Sequence, residues 1–252
     1  MKAFISDIHG NLEALRAVLD EIDSLGIKDI VCLGDVVGYG PNPMECLEIV
    51  QSISNLNILG NHEEAVLYGI PPNFNLKARR ALEWTRKVLL EEAKDPAETR
   101  EARRKFMESF QIQTRVEGVT YVHGSPRQPT REYVMPGDAH NRKKMTEIFA
   151  CLEDYCFCGH THTPGIFTLE EGFTHPSDMF ELYMLGTHEK VLINVGSVGQ
   201  PRDGDPRACF CTFDGDTVVW RRVEYDIEAV CKKIYAVPEI DDFEADRLRE
   251  GR

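Results

Sequence analysis

Five times along the chain an apolar run gives way to a short polar cluster that sets a metal-capable side chain beside a glycine. The clusters are Asp7-Ile8-His9-Gly10, Gly34-Asp35, Gly60-Asn61-His62, His123-Gly124 and Gly159-His160-Thr161-His162. A strand sends residues i and i+2 to the same side, so Asp7 with His9, and His160 with His162, converge if the chain stays extended there. The adjacent glycines permit sharp turns. Ligand sites of open α/β sheets lie at the carboxyl ends of strands, which is where these clusters fall. A fold that gathers those ends makes one site of them.

Taken singly each cluster is a weak signal: a lone histidine is more often a surface or hydrogen-bonded core residue, and Gly-Asp is usually a turn. Taken together they are specific. Five of the eight histidines lie in the clusters, while His140, His175 and His188 fall outside and read as surface or loop residues.

The intervening sequence is of the α/β class. Ala3 to Ser6 reads as a buried strand, and Leu12, Leu15, Val18, Leu19, Ile22 and Leu25 follow the 3.6-residue period of a helix that Gly26 ends. Ile30 to Leu33, a helix through Cys46, Leu47 and Val50, and the strand Asn57-Ile58-Leu59 repeat the alternation, which implies a largely parallel sheet. From 75 to 110 the composition turns helical and charged around the breaker Asp95-Pro96, the pattern of a two-helix insertion that either covers the site or serves a dimer interface. Later strands are expected at Val119 to His123, Tyr155 to Cys158, Ile166 to Leu169 and Val191 to Asn194, with a hairpin turning at Asp214-Gly215-Asp216. One domain is expected over 1–226, followed over 227–252 by a short helix and a charged tail without functional signal.

The 42 acidic and 29 basic residues give a formal charge of -13, which repels extended nucleic acid and anionic membrane surfaces. Any phosphate that binds needs positive charge supplied locally. The opening apolar run is too short for a signal peptide and no later stretch spans a bilayer, so a cytoplasmic protein is expected. The eight cysteines include Cys156-x-Cys158 and Cys209-x-Cys211 at strand spacing, and read as buried thiols more readily than as a structural zinc site.

The ordered set Asp-x-His, Gly-Asp, Gly-Asn-His-Glu, His-Gly and Gly-His-Thr-His, running from Asp7 to about Arg207, resembles the calcineurin-like metallophosphoesterase superfamily. The resemblance implies a four-layer α-β-β-α sandwich of two mixed sheets flanked by helices. It also implies two divalent metal ions, one held by Asp7, His9, Asp35 and His162 and the other by Asp35, Asn61, His123 and His160. Asp35 suits the bridge, since one carboxylate can join the paired metals that clamp an in-line displacement. Mixed nitrogen and oxygen donors without thiolate suit manganese, iron, nickel or zinc better than magnesium. The ions make the pocket positive within an acidic protein. Asn61 and His62, consecutive on an extended segment, are expected to point apart, so His62 is not expected to ligate, and the resemblance places it on the substrate side as a general acid toward the leaving group, with metal hydroxide as nucleophile.

Within that superfamily the protein phosphatases carry Gly-Asp-x-Val-Asp-Arg-Gly, whereas Gly38 and Tyr39 stand here at the second aspartate and the arginine. The departure argues against protein phosphatase activity and leaves Glu63 as a substitute orienting group for His62. The sequence is more similar to small bacterial and archaeal phosphodiesterases and asymmetric diadenosine tetraphosphate hydrolases, which implies a small phosphodiester or nucleotide phosphoanhydride as substrate. A phosphomonoesterase and a catalytically inactive interaction scaffold are the competing readings, and a homo-oligomer is left open. Arg127 and Arg202 are candidates to contact substrate phosphate or to form surface salt bridges, and Tyr39 to stack on a base or to pack in its loop.

Overall fold

The alternation read at the N-terminus folds as consecutive parallel βαβ units: β1 (Lys2–Ile5), α1 (Leu12–Ser24), β2 (Asp29–Cys32), α2 (Pro43–Ile53) and β3 (Leu56–Asn57). The computed structural model describes residues 1–92, 95–186 and 190–252. Asn11 starts α1 by accepting the Ala14 N–H on its side-chain oxygen, and Leu12, Leu15, Val18 and Ile22 turn one face into the core.

Downstream lie the helices α3 (Asn61–Tyr68), α4 (Leu76–Arg86) and α5 (Ala97–Glu108), then β4 (Gln113–Val116), β5 (Val119–Val122), α6 (Arg142–Phe149), β6 (Tyr155–Cys158), β7 (Gly165–Thr168) and β8 (Gly172–Thr174). The chain continues with β9 (Leu182–Met184), β10 (Val191–Asn194), β11 (Ala208–Phe213), β12 (Thr217–Val223), α7 (Ile227–Tyr235) and α8 (Phe243–Asp246). The strands form two six-stranded mixed sheets, ordered β3-β2-β1-β11-β12-β9 and β4-β5-β6-β10-β7-β8. Strands β4, β8 and β9 have no counterpart in the sequence reading. They are three or four residues long and none has a buried residue, so they carry too little apolar alternation to be seen.

Alternation along β1 builds two cores at once. Phe4 faces the second sheet and lies flat on Phe157, ring centroids 4.1 Å apart, while Ala3 and Ile5 face α1 and α2. Helix α6 covers the outer face of the second sheet through Met145, Ile148 and Phe149, packed on Cys156 and Leu192. The layer order is therefore α-β-β-α. Leu15 is fully buried in the first helical layer, where a Leu→Ala change costs roughly 2–5 kcal/mol.

Helix α4 runs on through a π-helical turn at Lys87–Glu91, and with α5 it buries Leu82, Leu89, Leu90 and Met107 against the same layer. Arg103 ties α5 down through Glu48 and Asp95. Trp84 packs beside the C-terminal helices. The stretch after α7 is not a solvated tail: α8 and a 3-10 turn at Arg247–Glu250 fold back on α7, burying Ala245, Leu248 and the carboxylate residue Glu244. Its charges mask a short Ala245/Leu248 apolar pair at i, i+3.

All eight cysteines are free thiols and seven are buried, with Cys209 and Cys211 between the sheets and Cys156 and Cys158 under α6. No helix among the described residues is long and apolar enough to cross a membrane. The parallel strands β1, β2 and β3 of one sheet and β5, β6 and β10 of the other deliver the loops that carry the polar clusters.

Candidate metal centre

The loops after β1 and β2 are zipped together by backbone hydrogen bonds from Asp7 N to Gly34 O, His9 N to Asp35 O and Gly10 N to Val36 O, at 2.9 to 3.0 Å. Neither loop stays extended. Asp7, His9, Asp35, His160 and His162 all have φ between 49° and 67°, so the i, i+2 pairs converge through left-handed turns and not along a strand. Each such residue costs of order 1–3 kcal/mol, which the surrounding hydrogen bonds must offset. Gly159 allows the two sheets' loops to meet, since a Cβ there would stand 2.4 Å from Asp7 Oδ2.

Asp35 is the hub. Its Oδ2 lies 3.3 Å from His123 Nε2, 3.7 Å from His9 Nε2 and 4.0 Å from His62 Nε2, while Oδ1 accepts the His62 backbone N–H at 2.9 Å. Asp7 Oδ2 accepts the His160 N–H at 2.9 Å. Its Oδ1 is buried without a hydrogen bond, 3.2 Å from His162 Nε2. Asn61 Oδ1 lies 3.1 Å from His123 Nε2.

Four imidazoles share one arrangement. His9 Nδ1 meets Val37 O at 3.2 Å, His123 Nδ1 meets Leu33 O at 2.8 Å, His160 Nε2 meets Arg131 O at 3.3 Å and His162 Nδ1 meets Gln200 O at 2.6 Å. A carbonyl only accepts, so each outer nitrogen donates its N–H, and the inner nitrogen of a neutral ring carries a lone pair. Those inner nitrogens face each other in pairs, His9 to His162 at 3.1 Å and His123 to His160 at 3.0 Å. Where both rings of a pair are neutral, two lone pairs so placed need a cation between or beside them. The donor set thus fits divalent metal.

The electrostatics agree. Burial opposes ionisation of Asp7 and Asp35, yet the neighbouring imidazoles, His162 for Asp7 and His123 for Asp35, hold both carboxyls well below the usual range. Burial also works against charge on His123, but Asp35 and Asp7 outweigh it and push its pKa up to about 9, drawing positive charge to that inner nitrogen. Burial pushes His160 down to about 3, with His123 adding repulsion, and keeps His9 and His162 low as well, so these rings are neutral and available as donors.

His62 differs. Its Nδ1 is buried without a partner, and burial pushes its pKa down to about 4. It diverges from Asn61 because both sit on the first turn of α3, where successive side chains are about 100° apart, and not because the segment is extended. Glu63 does not orient it. The Glu63 carboxylate, fully buried, accepts the backbone N–H groups of Asp35, Val37 and Gly60 at 2.8, 3.1 and 3.1 Å and so braces the Asp35 loop.

A cavity of about 150 Å³ opens beside the cluster, lined by Tyr39, Asn61, His62 and His160 on the cluster's own loops and by Phe74, Asn75, Ala78, Arg131 and Tyr133 from neighbouring segments. Tyr133 stacks on His160 at 3.8 Å and Phe74 meets His62 edge-on at 5.8 Å. No motif marked Phe74, Arg131 or Tyr133, because pocket walls carry no fixed spacing from the metal-capable clusters. Tyr39 packs on both His9 and His62, and the Arg202 guanidinium lies 5.9 Å from its ring. Arg127 is held by Glu132 and Glu147 and is absent from the cavity wall. His140 is exposed and His175 pairs with Asp203, while His188 lies outside the described residues.

A family model described as the calcineurin-like phosphoesterase superfamily domain matches residues 1–217. An uncharacterized protein of Methanocaldococcus jannaschii is 39% identical over 244 residues, covering 93% of this chain and 91% of its own. The symmetrical bis(5'-nucleosyl)-tetraphosphatase of Aliivibrio fischeri is 40% identical over 63 residues, 24% of this chain and 23% of its own. Among solved structures, a metallophosphoesterase from Sphaerobacter thermophilus is similar with a TM-score of 0.81 and 34% identity, covering 100% of this chain and 99% of that one. With the imidazole cluster converging on Asp35 at the meeting of two mixed sheets, these similarities show that the chain belongs to the calcineurin-like phosphoesterase superfamily and is a hydrolase acting on phosphate esters.

Proposed function

We propose that the protein hydrolyses a small phosphodiester or nucleotide phosphoanhydride with two divalent cations. The observation that carries this reading is the set of four imidazoles whose outer nitrogens are fixed on backbone carbonyls while the inner ones gather around Asp7 and Asp35. One cation would be held by Asp7, His9, Asp35 and His162, the other by Asp35, Asn61, His123 and His160. Ligand atoms of Asp7, His9 and His162, and of Asp35, His123 and His160, lie within 4.8 Å of one another. The donors suit manganese, iron, zinc or nickel. When bound, such a pair supplies Lewis acidity to phosphoryl oxygens and acidifies attacking water.

His62 stands at the cavity wall as the proton donor. Its resting imidazole is neutral, and an anionic substrate beside it offsets part of the burial cost and draws a proton to Nε2, from which it passes to the leaving-group oxygen. Among the described residues, Arg131 is the one guanidinium or ammonium group on the cavity wall, and it is already paired with Glu64. Phe74 and Tyr133 add aromatic surface. This favours a diester monoanion with an organic leaving group over a monoester dianion. A complete donor set with His62 in place argues against an inactive scaffold. Buried, unpaired thiols suit a reducing cytoplasm.

The test is metal analysis of the purified protein followed by hydrolysis of bis-p-nitrophenyl phosphate and p-nitrophenyl phosphate with manganese. The expected result is bound divalent metal and faster turnover of the diester. Absence of turnover with both would sink the enzymatic reading.

A further inference from the structure

We infer that the C-terminal segment is part of the metal centre, with Glu244 acting through Gln200 as a positioning residue for His162. The inference rests on the two-cation reading above and concerns residues outside every cluster that marks the site in the sequence.

Gln200 is 3% exposed and is gripped at each of its polar groups. Its backbone N–H donates to Ser197 Oγ at 2.8 Å, and that hydroxyl donates in turn to Asp7 O at 2.8 Å. Its side-chain nitrogen donates to Glu244 Oε2 at 3.0 Å, and its side-chain oxygen accepts from the Arg202 guanidinium. Its backbone carbonyl accepts the His162 Nδ1–H at 2.6 Å, the shortest of the four contacts that orient the imidazoles. Two proposed ligands of one cation, Asp7 and His162, therefore hang on a single loop residue whose amide is clamped from the far side by the tail.

Glu244 is itself 3% exposed and is paired with Arg247 at 3.5 Å. The tail is latched to the same loop further on, by the Gly204 N–H donating to Gly251 O at 2.9 Å. A buried carboxylate is costly to desolvate and contributes little to packing, so α8 would be better served by an apolar residue at 244 if it were only a core helix. Among the described residues, its one side-chain hydrogen-bond partner besides Arg247 is the Gln200 amide. The imidazoles of the other proposed cation site are braced by the carbonyls of Leu33 and Arg131, and among the described residues no hydrogen bond joins either of these to the tail. The effect of Glu244 is thus one-sided.

Calorimetric titration of the metal-free protein with manganese alone tests this, alongside the thermal melting of each metal-free variant. The unaltered protein is expected to show two binding steps. Glu244→Leu, and independently Gln200→Leu, should weaken one step by about tenfold to a hundredfold and leave the other within about twofold, the scale typical of outer-shell partners. Glu244→Gln, which keeps an oxygen acceptor for Gln200, should restore the weakened step. Two unchanged steps in the Leu variants overturn the inference. Equal weakening of both steps, with or without a lower melting temperature, reduces Glu244 to a structural role and also overturns it. If the unaltered protein binds no manganese, the two-cation reading itself fails, an outcome distinct from the others.

Discussion

Gly38 and His62 are fitted so closely that a Cβ built on Gly38 would stand 2.0 Å from His62 Nδ1. Gly38 also has φ +90°, a conformation that L side chains rarely adopt. The protein phosphatase pattern places an aspartate there, and this backbone has no room for one while His62 keeps its position. Gly38→Ala is expected to displace the imidazole, lowering kcat by about 10² or more while metal content stays near that of the unaltered protein. Metal analysis with steady-state kinetics checks both halves.

His62→Asn separates the proton-donor role from metal binding. The outer nitrogens of the four proposed ligands rest on carbonyls, whereas His62 has no such brace, so its removal leaves the cluster intact. Turnover should fall more for esters with poor leaving groups than for p-nitrophenyl esters. An equal fall across a leaving-group series would count against proton donation.

Glu63→Ala would leave the N–H groups of Asp35, Val37 and Gly60 without their buried acceptor. A destabilisation of roughly 3 kcal/mol or more is expected, given about 1–3 kcal/mol for each unsatisfied donor. Denaturant unfolding of the metal-free protein measures it, and a change under about 1 kcal/mol would show that water takes over the bonding.

Phe74→Ala tests the cavity wall. An aromatic contact contributes about 0.5–1.5 kcal/mol beyond burial, so KM for an aryl diester should rise roughly twofold to tenfold with kcat little changed. A parallel rise with a methyl diester of the same leaving group would mean that Phe74 supports His62 and does not contact the second ester group.

Glu132 provides a pH signature away from the cluster. Burial alone would raise its pKa, but hydrogen bonds from Arg127 and Ser125 and the charge of Arg127 hold it below 4.5. A folded pKa below the unfolded one contributes stability above about pH 4.5 that is lost as pH falls through the lowered value. Arg127→Met should therefore cost about 0.5–1 kcal/mol at pH 7, since solvent screens the pair, and the gap to the unaltered protein should narrow as the pH drops below 4.5. Urea unfolding at the two pH values shows whether it does.

Much of the fold, and the clusters that build the candidate centre, were legible because the sequence concentrates them in local patterns. The apolar periods of β1, α1 and β2 are set by neighbours a few residues apart, and Asp7, His9, Asp35, Asn61, His123, His160 and His162 announce themselves as residue types beside glycines. What the sequence could not determine by itself is which partner holds each side chain. The braces of the imidazoles are the backbone carbonyls of Leu33, Val37, Arg131 and Gln200, and every residue type offers a carbonyl, so no pattern marks them. The sequence suggests Glu63 as a partner of the residue beside it, yet its acceptor oxygens are turned to N–H groups up to 28 residues away. Phe74 and Tyr133 reach the cavity wall from stretches that no motif marks, and Glu244 reaches Gln200 from a segment that reads as a tail. Such contacts are decided only when the two sheets and the C-terminal helices pack, because burial at a distance, and not local spacing, selects them.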